Sequence, residues 1–155
     1  MRAHRPRDWK MDEGSNLIEF SLIALMFFIV MLGVVEMGRM VLVYTTVANA
    51  ARAGARYAIV HGGNRTGSGA TGPSGPGSPT VCICPQVKTV VQNFASAGLV
   101  TVSNLTVTVA YPNGVNTAGS PVNVTVTYPY DPLVTYFNSL LNVTLGSTSE
   151  GVITF

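Results

Sequence analysis

Between Leu17 and Val35 the chain carries one charged side chain, Glu19, in a run otherwise apolar enough to cross a bilayer core. A carboxylate placed there costs about 2.5–3.5 kcal/mol on insertion scales, so intramembrane carboxylates are usually paired and functional. The chemistry on offer is charge neutralisation by a cation at the same depth. No lysine or arginine before Glu19 can supply it from the same helix, because the nearest, Lys10, lies nine residues upstream. The cation is therefore expected from another chain. The plainer alternative is a helix-end glutamate that reaches to the headgroups of a simple signal anchor.

The region beyond Gly62 has few parts for catalysis. His61 is the one histidine beyond the first ten residues, Asp131 and Glu150 are the carboxylates of the C-terminal region, and no glycine-rich phosphate loop stands between a strand and a helix. No enzymatic activity and no cofactor are expected. Cys82 and Cys84 flank a single residue. They could form a local or intermolecular disulfide or remain free thiols; the short spacing makes a strained ring, and a metal site lacks further ligands. The 155 residues carry a net charge of +2, and the cations thin out toward the C-terminus. From Gly62 onward the charged residues are Arg65, Lys88, Asp131 and Glu150, which argues against nucleic-acid binding.

The elements that must position these residues follow from periodicity. Residues 1–14 are polar and basic, with Arg2, Arg5, Arg7 and Lys10, and favour a cytoplasmic N-terminus. Residues 15–36 read as a transmembrane helix, and residues 37–61 as its outer half, since no proline interrupts before Pro73. A helix from Ser15 to Val60 would be about 70 Å long, so its outer half must pack on something. Glu36 and Arg39 are spaced to pair on one face. Thr45, Asn49, Arg52 and Arg56 form a polar stripe. Ala48, Ala51 and Ala55, and Ala50, Gly54 and Ala58, form small-residue ridges. These suit close packing on a second helix, on the chain's own sheet, or on both.

His61-Gly62-Gly63 is expected to end the helix with a left-handed glycine cap. Residues 62–80 read as a mobile Gly/Ser/Pro-rich loop, and residues 81–155 as an extracytoplasmic α+β head. Within it, Pro85 opens a short helix running toward Gly98, and the alternations Val100–Val109 and Val122–Val126 form an antiparallel pair. Leu133–Leu141 reads as a second short helix, and Val143–Leu145 and Val152–Phe155 as one or two last strands around the stretch from Gly146 to Gly151. The four Asn-x-Thr triplets at Asn64, Asn104, Asn123 and Asn142 are assigned no modification. The fold class is α+β, a long N-terminal helix packed on a small antiparallel sheet with one or two short helices.

Glu13-Gly14, Ser15 and Glu19-Phe20 before a long apolar helix resemble the processing site of type IV prepilin-like proteins. Gly33-Val34-Val35-Glu36-Met37-Gly38-Arg39 and the stretch from Asn49 through Arg52, Gly54 and Arg56 to Ala58 are similar to the TadE-like pseudopilins of tight-adherence (Flp) pilus systems. The resemblance is specific from about Met11 to Val60. It implies a pilin-like fold and cleavage by a prepilin peptidase between Gly14 and Ser15. The new ammonium at Ser15 would then be the cation that Glu19 of a neighbouring subunit neutralises.

The resemblance also implies partners: the peptidase, other pilin or pseudopilin subunits, an inner-membrane assembly platform, the lipid membrane, and further copies in an oligomer or filament. The expected location is the bacterial inner membrane, single-pass, with the head outside and with incorporation into a surface pilus left open. The expected function is that of a minor pseudopilin in assembly or initiation of the pilus, favoured over a major subunit by the sizeable head. A membrane-anchored binding or adhesion module, with the helix as a mere tether, is the competing reading.

Overall fold

The structure, a computed structural model, describes residues 10–63, 81–82, 84–98, 100–133 and 143–154. Helix α1, Lys10–Val60, is 51 residues long. It begins before Ser15, so Gly14 lies within it. A glycine in a helix interior costs about 1 kcal/mol relative to alanine, and the apolar residues that follow are strong enough helix formers to carry the helix through. The chain divides into two compact units, residues 1–38 and 39–155.

Among its described residues the first unit is helix alone. Its large side chains, Leu17 through Val35, are exposed, and the helix from Gly14 to Val60 contains a stretch long and apolar enough to cross a membrane, none of it buried within the protein. A contiguous apolar surface of this size is stable only against another apolar phase.

The second unit is α+β. Strands β1 (Val81–Cys82), β2 (Thr106–Ala110), β3 (Pro121–Pro129) and β4 (Thr144–Val152) form one antiparallel sheet in the order β1-β2-β3-β4. The expected β2–β3 pair is present, with Val107 opposite Val126 and Val109 opposite Val124. Strict alternation puts Val122, Val124, Val126 and Tyr128 on the buried face and Asn123, Thr125 and Thr127 on the other. Between these strands the Tyr111 carbonyl accepts from the Gly114 N–H at 2.9 Å, and Gly114 and Gly119 take φ of 70° and 86°. Left-handed backbone at these two turn positions is what glycine permits.

Helix α2 (Pro85–Ala95) has Pro85 in its first turn and buries Val87, Val91 and Ala95. The part of α1 within this unit buries Val43, Val47, Ala50, Ala51, Ala55 and Ala58 in the same core. Both small-residue ridges are therefore occupied, largely by the chain's own head. Of the ridge residues, Ala48 alone stays half-buried.

Several expectations are corrected. Val100 and Val102 do not extend β2: Val102–Asn104 is a 3₁₀ turn, and Val100 and Leu105 on either side of it are buried. Of the one or two last strands expected, the chain forms one. β4 runs unbroken through Gly146 and Gly151 because its partner β3 is also nine residues long and pairs with all of it, from Thr144 opposite Pro129 to Val152 opposite Pro121. Among the described residues, positive φ does not occur at Gly62 or Gly63, so α1 ends without the left-handed cap. The Gly63 N–H donates to the Asn116 carbonyl at 2.9 Å and ties the helix end to the β2–β3 loop. The expected loop over residues 64–80 and the expected helix beyond Leu133 lie outside the described residues.

Candidate assembly site

Ser15 and Glu19 are one helical turn apart on α1 and both are exposed, as are Gly14 and Phe20. Around Glu19 the neighbours are Leu17, Ile18, Phe20 and Leu22, each well over half exposed. Within its own unit the carboxylate thus stands on a surface of hydrocarbon side chains. Ser21 donates to the Leu17 carbonyl at 2.6 Å and hides its hydroxyl in the helix. A Cβ added at Gly14, Gly33 or Gly38 would meet nothing within 4 Å. Among the described residues nothing closes on these glycines, which leave the helix surface open. Glu36 is half-buried.

In the second unit Arg39 is turned onto the head. Its Nη1 donates to the Asp131 carbonyl at 2.8 Å, and its guanidinium lies 5.3 Å from the Tyr130 ring centroid. A planar guanidinium can lie over a ring while its in-plane N–H groups donate elsewhere, a geometry that the compact lysine ammonium reproduces only in part. Replacing Arg39 with alanine is expected to lower head stability by about 1–2 kcal/mol through loss of the charged hydrogen bond and the cation–π contact. Thermal unfolding of the full chain in detergent reads this out, and Arg39→Lys should recover only part of the loss.

Gly54 sits where α1 meets the sheet and α2 most closely. A Cβ there would lie 2.6 Å from Val91 Cγ2, 3.2 Å from Val124 Cγ1 and 3.4 Å from Val87 Cγ1. Nearby, Gly98 clears Thr46, and Gly151 of β4 clears Ile59. The Ile59 carbonyl also accepts from the Thr154 N–H at 3.0 Å.

On the other side of α1, Asn49, Arg52 and Arg56 are exposed. With Ala53 and Phe94 of α2 they line a groove of about 400 Å³. Arg52 donates to Asn49 Oδ1 at 3.1 Å. Cys84 is buried and disulfide-bonded, directly before α2. The chain's other cysteine is Cys82. Among the described residues no cluster of three metal-ligating side chains occurs.

Residues 14–56 match the family model of TadE-like proteins. The TadE-like segment runs from the glycine before Ser15 to Arg56, and so holds Glu19, Glu36, Arg39, Asn49, Arg52 and Gly54 together on one helix. It associates this part of the chain with tight-adherence pilus systems. The sheet lies wholly outside it. No curated protein and no solved structure matches the chain.

Residues that sequence reasoning missed are those facing the TadE-like segment from the head: Tyr130 and Asp131 at Arg39, Val87, Val91 and Val124 at Gly54, and Phe94 beside Arg56. Arg39 and Asp131 are 92 positions apart, and no local pattern connects them.

Proposed function

We propose that the chain is a minor pilin-like subunit, a pseudopilin, cut between Gly14 and Ser15 by a prepilin peptidase. It is then held in the bacterial inner membrane with its N-terminus inside and its head outside, and used in assembly or initiation of a tight-adherence pilus. The observation that carries this reading is Glu19, a carboxylate exposed on the apolar surface of the TadE-like helix one turn after Ser15. A simple anchor gains nothing from a charge there, whereas a bundle of processed helices supplies an ammonium to pair with it. The role is one of assembly with no catalytic step, and its partners are the peptidase, sister subunits, the inner-membrane platform and the lipid.

The expected product is a chain whose N-terminus is Ser15, in cells that contain the peptidase and not in cells that lack it. Intact mass and N-terminal sequencing of the membrane-extracted protein measure it. A chain that keeps residues 1–14 in both strains would sink the processing step. The competing reading, a tethered binding module, is favoured by one observation: residues 39–155 form a compact unit by themselves. On that reading a foreign anchor replacing residues 15–38 leaves function intact.

A further inference from the structure

We infer that the Arg52–Arg56 groove on the helix layer of the head receives Glu150 from the outer sheet face of a second copy of this chain. The inference deepens the assembly reading by naming a partner surface, and it rests on that reading for bringing copies together in one membrane.

Arg52 and Arg56 are like charges one helical turn apart, a spacing that costs a few tenths of a kcal/mol when nothing neutralises it. Both are exposed. Arg56 has no hydrogen-bond or ion-pair partner among the described residues, and Arg52 has only the neutral Asn49. Phe94, 46% exposed, walls the same groove and would shield an incoming anion from water on one side. The groove is thus a basic recess with one apolar wall, suited to a carboxylate on a side chain long enough to enter it.

The head offers few carboxylates. Residues 39–155 contain two, Asp131 and Glu150. Asp131 sits at Arg39, to which it presents its carbonyl. Glu150 is exposed on β4 and stands opposite Asn123 of β3. Asn123 belongs to the face that points away from Val122 and Val124, so Glu150 projects from the sheet surface opposite the one on which α1 packs. Its surroundings are Thr125 and Thr148, which share a 2.9 Å hydroxyl hydrogen bond. They are uncharged and short, so the glutamate stands above them.

Basic recess and acidic projection therefore lie on opposite layers of the same head. Complementary patches placed so cannot satisfy each other within one head, and in a pair they leave one of each unused. The resulting contact is head-to-tail and propagates instead of closing as a two-fold dimer. A single exposed pair is worth only about 0.2–1 kcal/mol, so the contact is negligible between dilute copies. It becomes effective when copies share a membrane and the second encounter is at high local concentration.

The test uses the full chain in membranes. Arg56→Lys places an amine in the groove, and a zero-length carbodiimide then links amines to carboxylates in direct contact. The expected result is a ladder of cross-linked chains whose mass-spectrometric peptide joins the substituted position 56 to Glu150. Arg56→Lys/Glu150→Gln alone should give none. Mixed with untagged wild-type chain, that double variant should give a single hetero-linked pair and no longer ladder. Arg52→Lys serves as the second variant should the first fail to fold. Independently, Arg52→Glu/Arg56→Glu should cut the oligomeric fraction several-fold, and adding Glu150→Arg in the same chain should restore it. Linkage of the introduced amine to another protein, or folded chain that yields no peptide joining the groove to Glu150, overturns the inference. The N-terminal mass of the same samples reports processing separately, so failure of the contact and failure of the pilin-like route are distinguishable.

Discussion

Membranes containing the Glu19→Gln variant are expected to hold as much protein as those containing the wild type, yet at least ten-fold less of it in assembled form. Removing a carboxylate from an apolar segment relieves up to about 2.5–3.5 kcal/mol of insertion cost, so insertion is not impaired. On the proposed reading, assembly loses the partner of the ammonium that cleavage would create at Ser15. Leaving one member of a buried ion pair uncompensated typically costs about 3–5 kcal/mol, more than enough for a ten-fold change. Alkaline extraction measures insertion, and cross-linking or filament shearing measures assembly. Wild-type assembly by Glu19→Gln would show the carboxylate to be a headgroup-seeking end of an ordinary anchor.

Substitution at Gly54 is expected to destabilise the head in proportion to the size of the side chain added. Alanine would gain about 1 kcal/mol from helix propensity, but its methyl would fall 2.6 Å from Val91 Cγ2, with Val124 close behind. Both valines are fully buried, and valine in a helix such as α2 has one strongly preferred rotamer, so the strain moves α2 bodily. Overpacking of this kind costs roughly 1–3 kcal/mol. The expected net loss is up to about 2 kcal/mol for Gly54→Ala, seen as a fall of up to several degrees in Tm, and loss of the folded head for Gly54→Leu. Gly38→Ala is the matched control. It has open space around its Cβ and should leave the head's Tm unchanged. Equal effects of the two alanines would show that helix propensity alone is at stake and that the close approach does not matter.

The long apolar run, α2 after Pro85, and the β2–β3 pair were all readable because each is a local pattern: composition, a proline at a helix start, and period-two valines around a glycine turn. What was not readable depends on distant partners. Gly146 and Gly151 look like turn residues in isolation. They lie inside β4 because β3 supplies a partner for every position and because Gly151 must clear Ile59, a residue 92 positions earlier. Val100 and Val102 alternate as a strand would, but the chain there makes a 3₁₀ turn that buries Val100 and Leu105 on its two sides. The alanine and glycine ridges of α1 announced close packing without naming the occupant, and the occupant is largely the chain's own head. For the candidate site, the TadE-like segment displayed its residue types openly. The roles of Arg39 and Gly54 emerged only with Tyr130, Asp131 and the valines opposite them.

The bonds from Thr154 to the Ile59 carbonyl bear on the order of events in the cell. Ile59 emerges from the ribosome 95 residues before Thr154, which at about 5–20 residues per second is a wait of roughly 5–20 s. Throughout that interval the underside of α1, from Val43 to Ala58, has no β4 and no buried Ile153 to cover it. The meander β2-β3-β4 pairs neighbours in sequence, contacts that form quickly, whereas its docking on α1 joins residues far apart in sequence, a slower kind of contact. The nascent chain therefore passes through a stage in which the apolar side of α1 has been made and its own C-terminal strand, which covers part of it in the finished fold, has not.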